Sequence, residues 1–184
     1  MQPRLFHISE TGDIDRFEPR PSPSQFEAIT GSVVFAIAGH LLHNYLLPRD
    51  CPRVTYYANA ATTPEDRDRF LSGSAATHVV AIETAWFHRV NTTTLYSYEF
   101  PAGTFALLDE TAGYYISYEP VTPLAVRRID NIFDELLNVD HLELRVVPEL
   151  WSLGNAVIAS TLSYSLIRMR NAKPPSHPPA GPVF

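Results

Sequence analysis

Sixteen prolines set the limits within which this chain of 184 residues must fold. A proline ring fixes φ and removes a backbone donor, so neither a helix interior nor a central strand runs through it. Pro19, Pro21 and Pro23 make the stretch after Gly12 a turn-rich, stiff connection, and Pro48 closes the segment before it. Pro64 and Pro148 suit helix starts, where a missing N–H costs nothing. What remains between the breaks is a series of short elements.

Runs at 4–9, 32–37, 54–58, 78–83, 94–100, 105–108, 113–118, 141–147 and 164–170 are apolar, β-branched, aromatic or alternating, and read as strands. Residues 41–47 spell a short helix. Thr63-Pro64-Glu65-Asp66 is a helix start, with a threonine cap, proline in the first turn and acids at the positive end of the dipole. That helix should run to Leu71 and stop at Gly73. Ile129, Ile132, Phe133, Leu136 and Leu137 recur at helical intervals, which predicts a helix over 129–137, and another fits 148–160. Many short strands with few helices make an α+β fold: one domain over 1–172, its strands mostly antiparallel. From Lys173 to Phe184 the composition turns to Pro174, Pro175, Pro178, Pro179 and Pro182, a flexible proline-rich tail.

A hydrophobic fraction of 45% with 18% charged residues is that of a folded chain rather than a disordered one. The lone Cys51 allows neither an intrachain disulfide nor a thiolate zinc cluster. The first ten residues lack a signal-peptide layout, and no apolar run approaches the roughly 20 residues that span a bilayer, so a cytoplasmic protein without a membrane partner is expected. The net charge of −6 argues against broad nucleic-acid binding. Thirteen arginines stand against a single lysine, Lys173. Codon composition accounts for such a bias, and so does a use of arginine as a planar fork for phosphate or carboxylate.

His7 and Ser9 share one face of the first strand. His7 is either a buried ring satisfied by backbone or a hydrogen-bonding group on a pocket floor. Arg20 is held in the stiff segment FEPRPSPS, as a plain connection or as a phosphate contact. In LPRDCPR, Arg49 and Arg53 converge on an anion, or Asp50 pairs with one of them in a structural corner. Cys51 has no local base to activate it. In GYYISYE, Tyr114 and Tyr118 share a face, as edge-of-sheet core residues or as a platform for a flat ring. His40 and His43 lack a third metal ligand nearby in sequence, and phosphate-loop, nucleophile-elbow and paired-cysteine motifs are absent.

The stretches LFHIS, RFEPRPSPS, NYLLPRDCPRVTYYA, AGYYISYEPVTPL and LIRMRNA resemble a bacterial family of uncharacterised function across residues 5–172. More distantly, a first strand carrying His7 and a late GYYISYEPVTPL resemble the ADP-ribosyltransferase fold. That resemblance implies a split sheet and NAD or a related nucleotide as ligand. It implies that His7 holds the nicotinamide ribose and that Tyr45 or Tyr56 stacks on the nicotinamide. A glutamate belongs near the position of Tyr114, and Glu119 falls too late to replace it. RNA 2′-phosphotransferases share the fold and rely on a histidine with arginines, here Arg4, His7, Arg20, Arg49 and Arg53. The expectation is a nucleotide-recognising transferase or hydrolase acting at a ribose or phosphate of an NAD-like or RNA-like ligand. His7 and Arg49 would be catalytic, with Ser9, Arg20, Arg53, Tyr45, Tyr56, Tyr114 and Tyr118 binding the ligand. The alternative is a non-catalytic binding or interaction module, which the absent glutamate and the proline tail favour.

Overall fold

The computed structural model describes residues 2–22 and 26–175. Pro23 and Ser24 of the stiff connection, and Pro178, Pro179 and Pro182 of the expected tail, lie outside the described residues. In chain order the strands begin with β1 (Leu5–Ser9), β2 (Arg20–Pro21), β3 (Ser32–Ala38), β4 (Arg53–Tyr57) and β5 (His78–Glu83). They continue with β6 (Leu95–Phe100), β7 (Ala106–Asp109), β8 (Tyr114–Ser117), β9 (Ala125–Ile129), β10 (Leu142–Val147) and β11 (Ser163–Ile167). The α-helices are α1 (Pro64–Leu71), α2 (Phe87–Thr92), α3 (Ile132–Leu137) and α4 (Trp151–Ile158). The α+β class expected from the sequence holds. None of the helices among the described residues is long and apolar enough to cross a membrane.

Internal contacts gather these elements into two compact units, Met1–Arg49 with Thr93–Ile132, and Asp50–Thr92 with Phe133–Phe184. The first carries a seven-stranded sheet in the order β7-β8-β3-β1-β6-β9, with β2 also on β3. All its pairings are antiparallel. The edge of β3 changes partner along its length: Leu5 and Phe6 of β1 pair with Ala38 and Ile37, then Arg20 and Pro21 of β2 pair with Val33 and Ser32. Because Pro21 has no N–H to give, β2 stays short. On one face Leu5, Val34, Ala36, Tyr98, Phe100 and Val121 form the core. The chain from Thr11 to Phe17 crosses that face. Fully buried Tyr98 fixes it, donating to Thr11 O at 2.8 Å and accepting from Ile14 N at 3.2 Å. A reciprocal backbone pair between Phe17 and Val121 closes it.

The second unit holds a four-stranded sheet, β10-β5-β4-β11, in which only β10 runs parallel to its neighbour. Its core includes Val54, Tyr56, Phe70, Leu71, Val79, Ala81, Leu150 and Val157, each large apolar side chain worth roughly 1.5–3 kcal/mol on full burial. α1 begins as the sequence predicts: Thr63 Oγ1 accepts from Asp66 N at 3.2 Å. Gly73 then turns the chain at φ +82°, a conformation side chains resist. Glu83, 2% exposed, accepts from Leu150 N at 3.3 Å and from Lys173 N at 3.0 and 3.1 Å. The first residue of the expected tail is thus fastened to the second unit.

Some local expectations differ from the structure. Ile129 ends β9 opposite Leu95 instead of opening a helix, so α3 is confined to Ile132–Leu137. The segment expected as a helix over 41–47 is a 3₁₀ turn at Gly39–Tyr45. β11 stops at Ile167 because Arg168 takes φ 55° and starts a further 3₁₀ turn at Met169–Asn171. α2 has no counterpart among the sequence expectations.

Candidate functional site

His7 sits where β1 has left the edge of β3 and β2 has yet to take it up. The carbonyl of Phe35 lies in this gap, and His7 Nδ1 lies 3.1 Å from it. A carbonyl only accepts, so Nδ1 carries the proton and Nε2 keeps its lone pair. The half-buried ring packs against Phe17 at 4.9 Å and Phe100 at 6.1 Å between centroids. Burial lowers its pKa below the ordinary imidazole value. The Phe35 contact works the other way, and the positive charges of Arg49 and then Arg20 add to the lowering. The result is a neutral imidazole within the field of two exposed guanidinium groups, Arg20 within the proline-rich stretch and Arg49 after the Gly39–Tyr45 turn.

Arg20 is placed by its β2 pairing with Val33. Arg49 is placed by its backbone N–H, which donates to Glu10 Oε1 at 2.8 Å. Glu10 went unnoticed in the sequence, although its position three residues after His7 on an exposed strand end was the signal. It brings a carboxylate to the backbone of Arg49.

The other expected residues have different surroundings. Ser9 Oγ accepts from Thr11 N at 3.0 Å, a local turn that ends β1. Tyr45 and Tyr114 share a hydroxyl–hydroxyl hydrogen bond, and Tyr114 joins Phe26 and Phe35 in an edge-on aromatic cluster. The strand register sets Tyr114 with Ile37 on the sheet face opposite to His7, Leu5 and Tyr98. Tyr118 is exposed, its hydroxyl meeting Thr30 N at 3.4 Å and Ala28 O at 3.5 Å.

Arg53 and Tyr56 belong to the second unit. Arg53 is 3% exposed and donates to Cys51 O at 2.9 Å, turning back on its own corner. Tyr56, 1% exposed, accepts from Arg145 Nη1 at 2.6 Å and packs on Phe70. Burial pushes its hydroxyl up to about 12. It is a core residue, and of the two tyrosines that suited one expected role only Tyr45 lies in the unit of His7. Burial likewise pushes the Cys51 thiol up to about 12, leaving it without thiolate character.

A groove of about 630 Å³ opens in the first unit, lined by Arg4, Phe6, Gly39, His40, Glu99 and Arg127 among others, and by none of the nine expected site residues.

No curated protein and no solved structure matches this chain. A family model does match residues 6–172, and the chain therefore belongs to a family of unknown function (DUF6886).

Proposed function

We propose that the first unit recognises a phosphorylated nucleotide, with His7 meeting a ribose hydroxyl and Arg20 and Arg49 meeting phosphate oxygens. The observation that carries this reading is the contact of His7 Nδ1 with Phe35 O at 3.1 Å, which leaves Nε2 as an acceptor on a ring whose pKa burial lowers and the charges of Arg49 and Arg20 lower further. With Nδ1 committed to Phe35 O, Nε2 is an acceptor for a hydroxyl hydrogen. Guanidinium forks suit phosphate, and their charge favours a ligand that the chain's overall −6 would otherwise repel.

The resemblance to ADP-ribosyltransferases and RNA 2′-phosphotransferases supports the same chemistry: transfer or hydrolysis at a ribose or phosphate of an NAD-like or RNA-like ligand. The arginine-dependent variant suits these residues better, because Tyr114 stands where a transferase glutamate belongs. Glu10, joined to Arg49 N, is the carboxylate closest in connection to this group. A non-catalytic nucleotide-binding module is the second reading, favoured by the engagement of the Tyr114 hydroxyl with Tyr45.

Melting shifts with NAD, ADP-ribose and nucleoside 2′- and 3′-phosphates test the proposal. A ligand at a hundred times its Kd adds about 2.7 kcal/mol of stability. Arg20→Ala and Arg49→Ala should each reduce that shift. If none of these ligands moves the melting temperature of the folded protein, the nucleotide reading is wrong. Following any bound ligand for product then separates catalysis from binding alone.

A further inference from the structure

The sheet of the second unit ends in β10, whose six residues LELRVV pair only with β5 among the described residues. The register sets Leu142 opposite His78, and His78 N donates to His141 O at 3.2 Å. In a parallel ladder this bond fixes the rest: β10 reaches β5 through the backbone groups of Glu143 and Arg145 and the N–H of Val147. The N–H and C=O groups of Leu144 and Val146, and the C=O of Leu142, therefore point away from β5. The side chains of these three residues share one face, opposite to that of Glu143 and Arg145, and Val146 is 41% exposed.

An edge of this kind templates another strand unless something blunts it. The other sheet ends are blunted. β7 has four residues and an irregular register between Leu107 and Asp109, β9 sets Arg127 beside Arg128, and β11 stops at the left-handed Arg168. β10 keeps a continuous register and contains neither proline nor lysine. Its own charges do not guard it, because they are turned onto their own sheet. Arg145 donates to Glu143 Oε1, to Tyr56 Oη at 2.6 Å and to Phe70 O at 2.8 Å, so a strand laid alongside leaves neither charge without a partner.

What fits beside β10 is a second β10, antiparallel about a two-fold axis at Leu144. Each Leu144 then exchanges N–H···O=C bonds with its copy, and Val146 N donates to Leu142 O of the other chain. Leu142 lies against Val146 on one face, and Glu143 against Arg145 on the other. Shifting the pairing by two residues either way, the smallest step that keeps the bonding groups facing, opposes Glu143 to Glu143 or Arg145 to Arg145. These charges are already paired within the chain, so they choose the register, while the backbone bonds and the apolar row supply the attraction. We propose that β10 is a self-recognition edge, through which two copies of this chain join their four-stranded sheets into one continuous sheet. The nucleotide reading is not involved, because His7, Arg20 and Arg49 belong to the first unit.

Sedimentation of the full chain over about a hundredfold range of concentration, from micromolar upward, tests it. The mass should rise towards twice that of one chain. Amide hydrogen exchange followed by NMR over the same range locates the contact. Leu144 and Val146 should exchange about tenfold more slowly once nine-tenths of the chain is paired, whereas β5 protects Glu143 and Arg145 throughout. Val146→Pro removes an outward donor that β5 does not use and should hold the chain monomeric. Val146→Lys keeps that donor but sets a charge against Leu142 of the second copy, and should weaken association about tenfold. Melting temperatures at low concentration verify both folds, and if the proline variant does not fold the lysine variant decides. Val126→Lys, at an exposed position of β9, and His7→Gln should leave association unchanged. A chain that stays monomeric throughout, a dimer indifferent to Val146→Lys, or Leu144 and Val146 amides whose exchange ignores concentration each overturns the proposal.

Discussion

Replacing His7 by glutamine isolates the physical claim on which the nucleotide reading stands, because glutamine retains an amide donor for Phe35 O but cannot titrate. In the native protein burial and the two arginines hold the ring's pKa below its unfolded value of about 6.5. The unfolded chain therefore takes up a proton at a higher pH than the native chain does. Stability from this group is complete above about pH 6.5 and is lost as pH falls towards the native pKa, with a limiting slope of about 1.4 kcal/mol per pH unit. Below the native pKa the loss levels off. Urea unfolding of the parent and the variant from pH 7.5 to pH 5 gives the difference directly, since titrations common to both cancel. The parent's advantage over His7→Gln should shrink across this window. In parallel, the imidazole followed by NMR should titrate at a higher pH in Arg49→Ala and in Arg20→Ala, and in the parent at raised salt, where exposed charges are screened. A stability difference that stays flat from pH 7 to pH 5, or a ring whose titration ignores both arginine variants, would refute the convergence.

Tyr56→Phe removes the acceptor of the Arg145 Nη1 bond in the core of the second unit. It should cost about 1.5–3 kcal/mol in denaturant unfolding and leave nucleotide-induced melting shifts intact, since Tyr56 contributes to packing and not to the ligand site. Thr63→Ala should cost about 1 kcal/mol through loss of the α1 cap, with Thr63→Ser restoring most of it. Cys51, fully buried with its thiol pushed up to about 12, should resist a thiol reagent at pH 8 in the native protein and react at once in denaturant.

The elements that the sequence made legible are those whose local chemistry agrees with their final surroundings. Thr63, Pro64 and Asp66 name the start of α1 without tertiary help, and the alternation in β6 survives in its register with β1. β9 was hidden because four of its five residues are exposed and two are arginines, so no apolar run marks it. Ile129 fitted a helical interval by its spacing and was claimed by its pairing with Leu95. α2, six residues long and partly β-branched, has too little propensity to be read apart from its context. At the candidate site, His7 stood out in the sequence as a polar residue in an apolar strand. The influence of Arg20 and Arg49 on the ring depends on the exchange of β1 for β2 along β3 and on the contact of Glu10 with Arg49 N, and neither leaves a mark in the sequence. The burial of Arg53 is equally a tertiary outcome, and the corner LPRDCPR gave it no distinguishing mark from Arg49.

The hydroxyl of Tyr98 holds Thr11 and Ile14 from within the core. The strand end that carries Glu10 is thereby indexed to a residue more than eighty positions away in the chain. A random-mutagenesis screen for lost ligand recognition should accordingly recover Tyr98→Phe, a conservative change at a side chain that meets no ligand. Its phenotype would come from a slackened surface segment over an otherwise intact interior, and a map of functional positions drawn from such a screen would extend inward past the site itself.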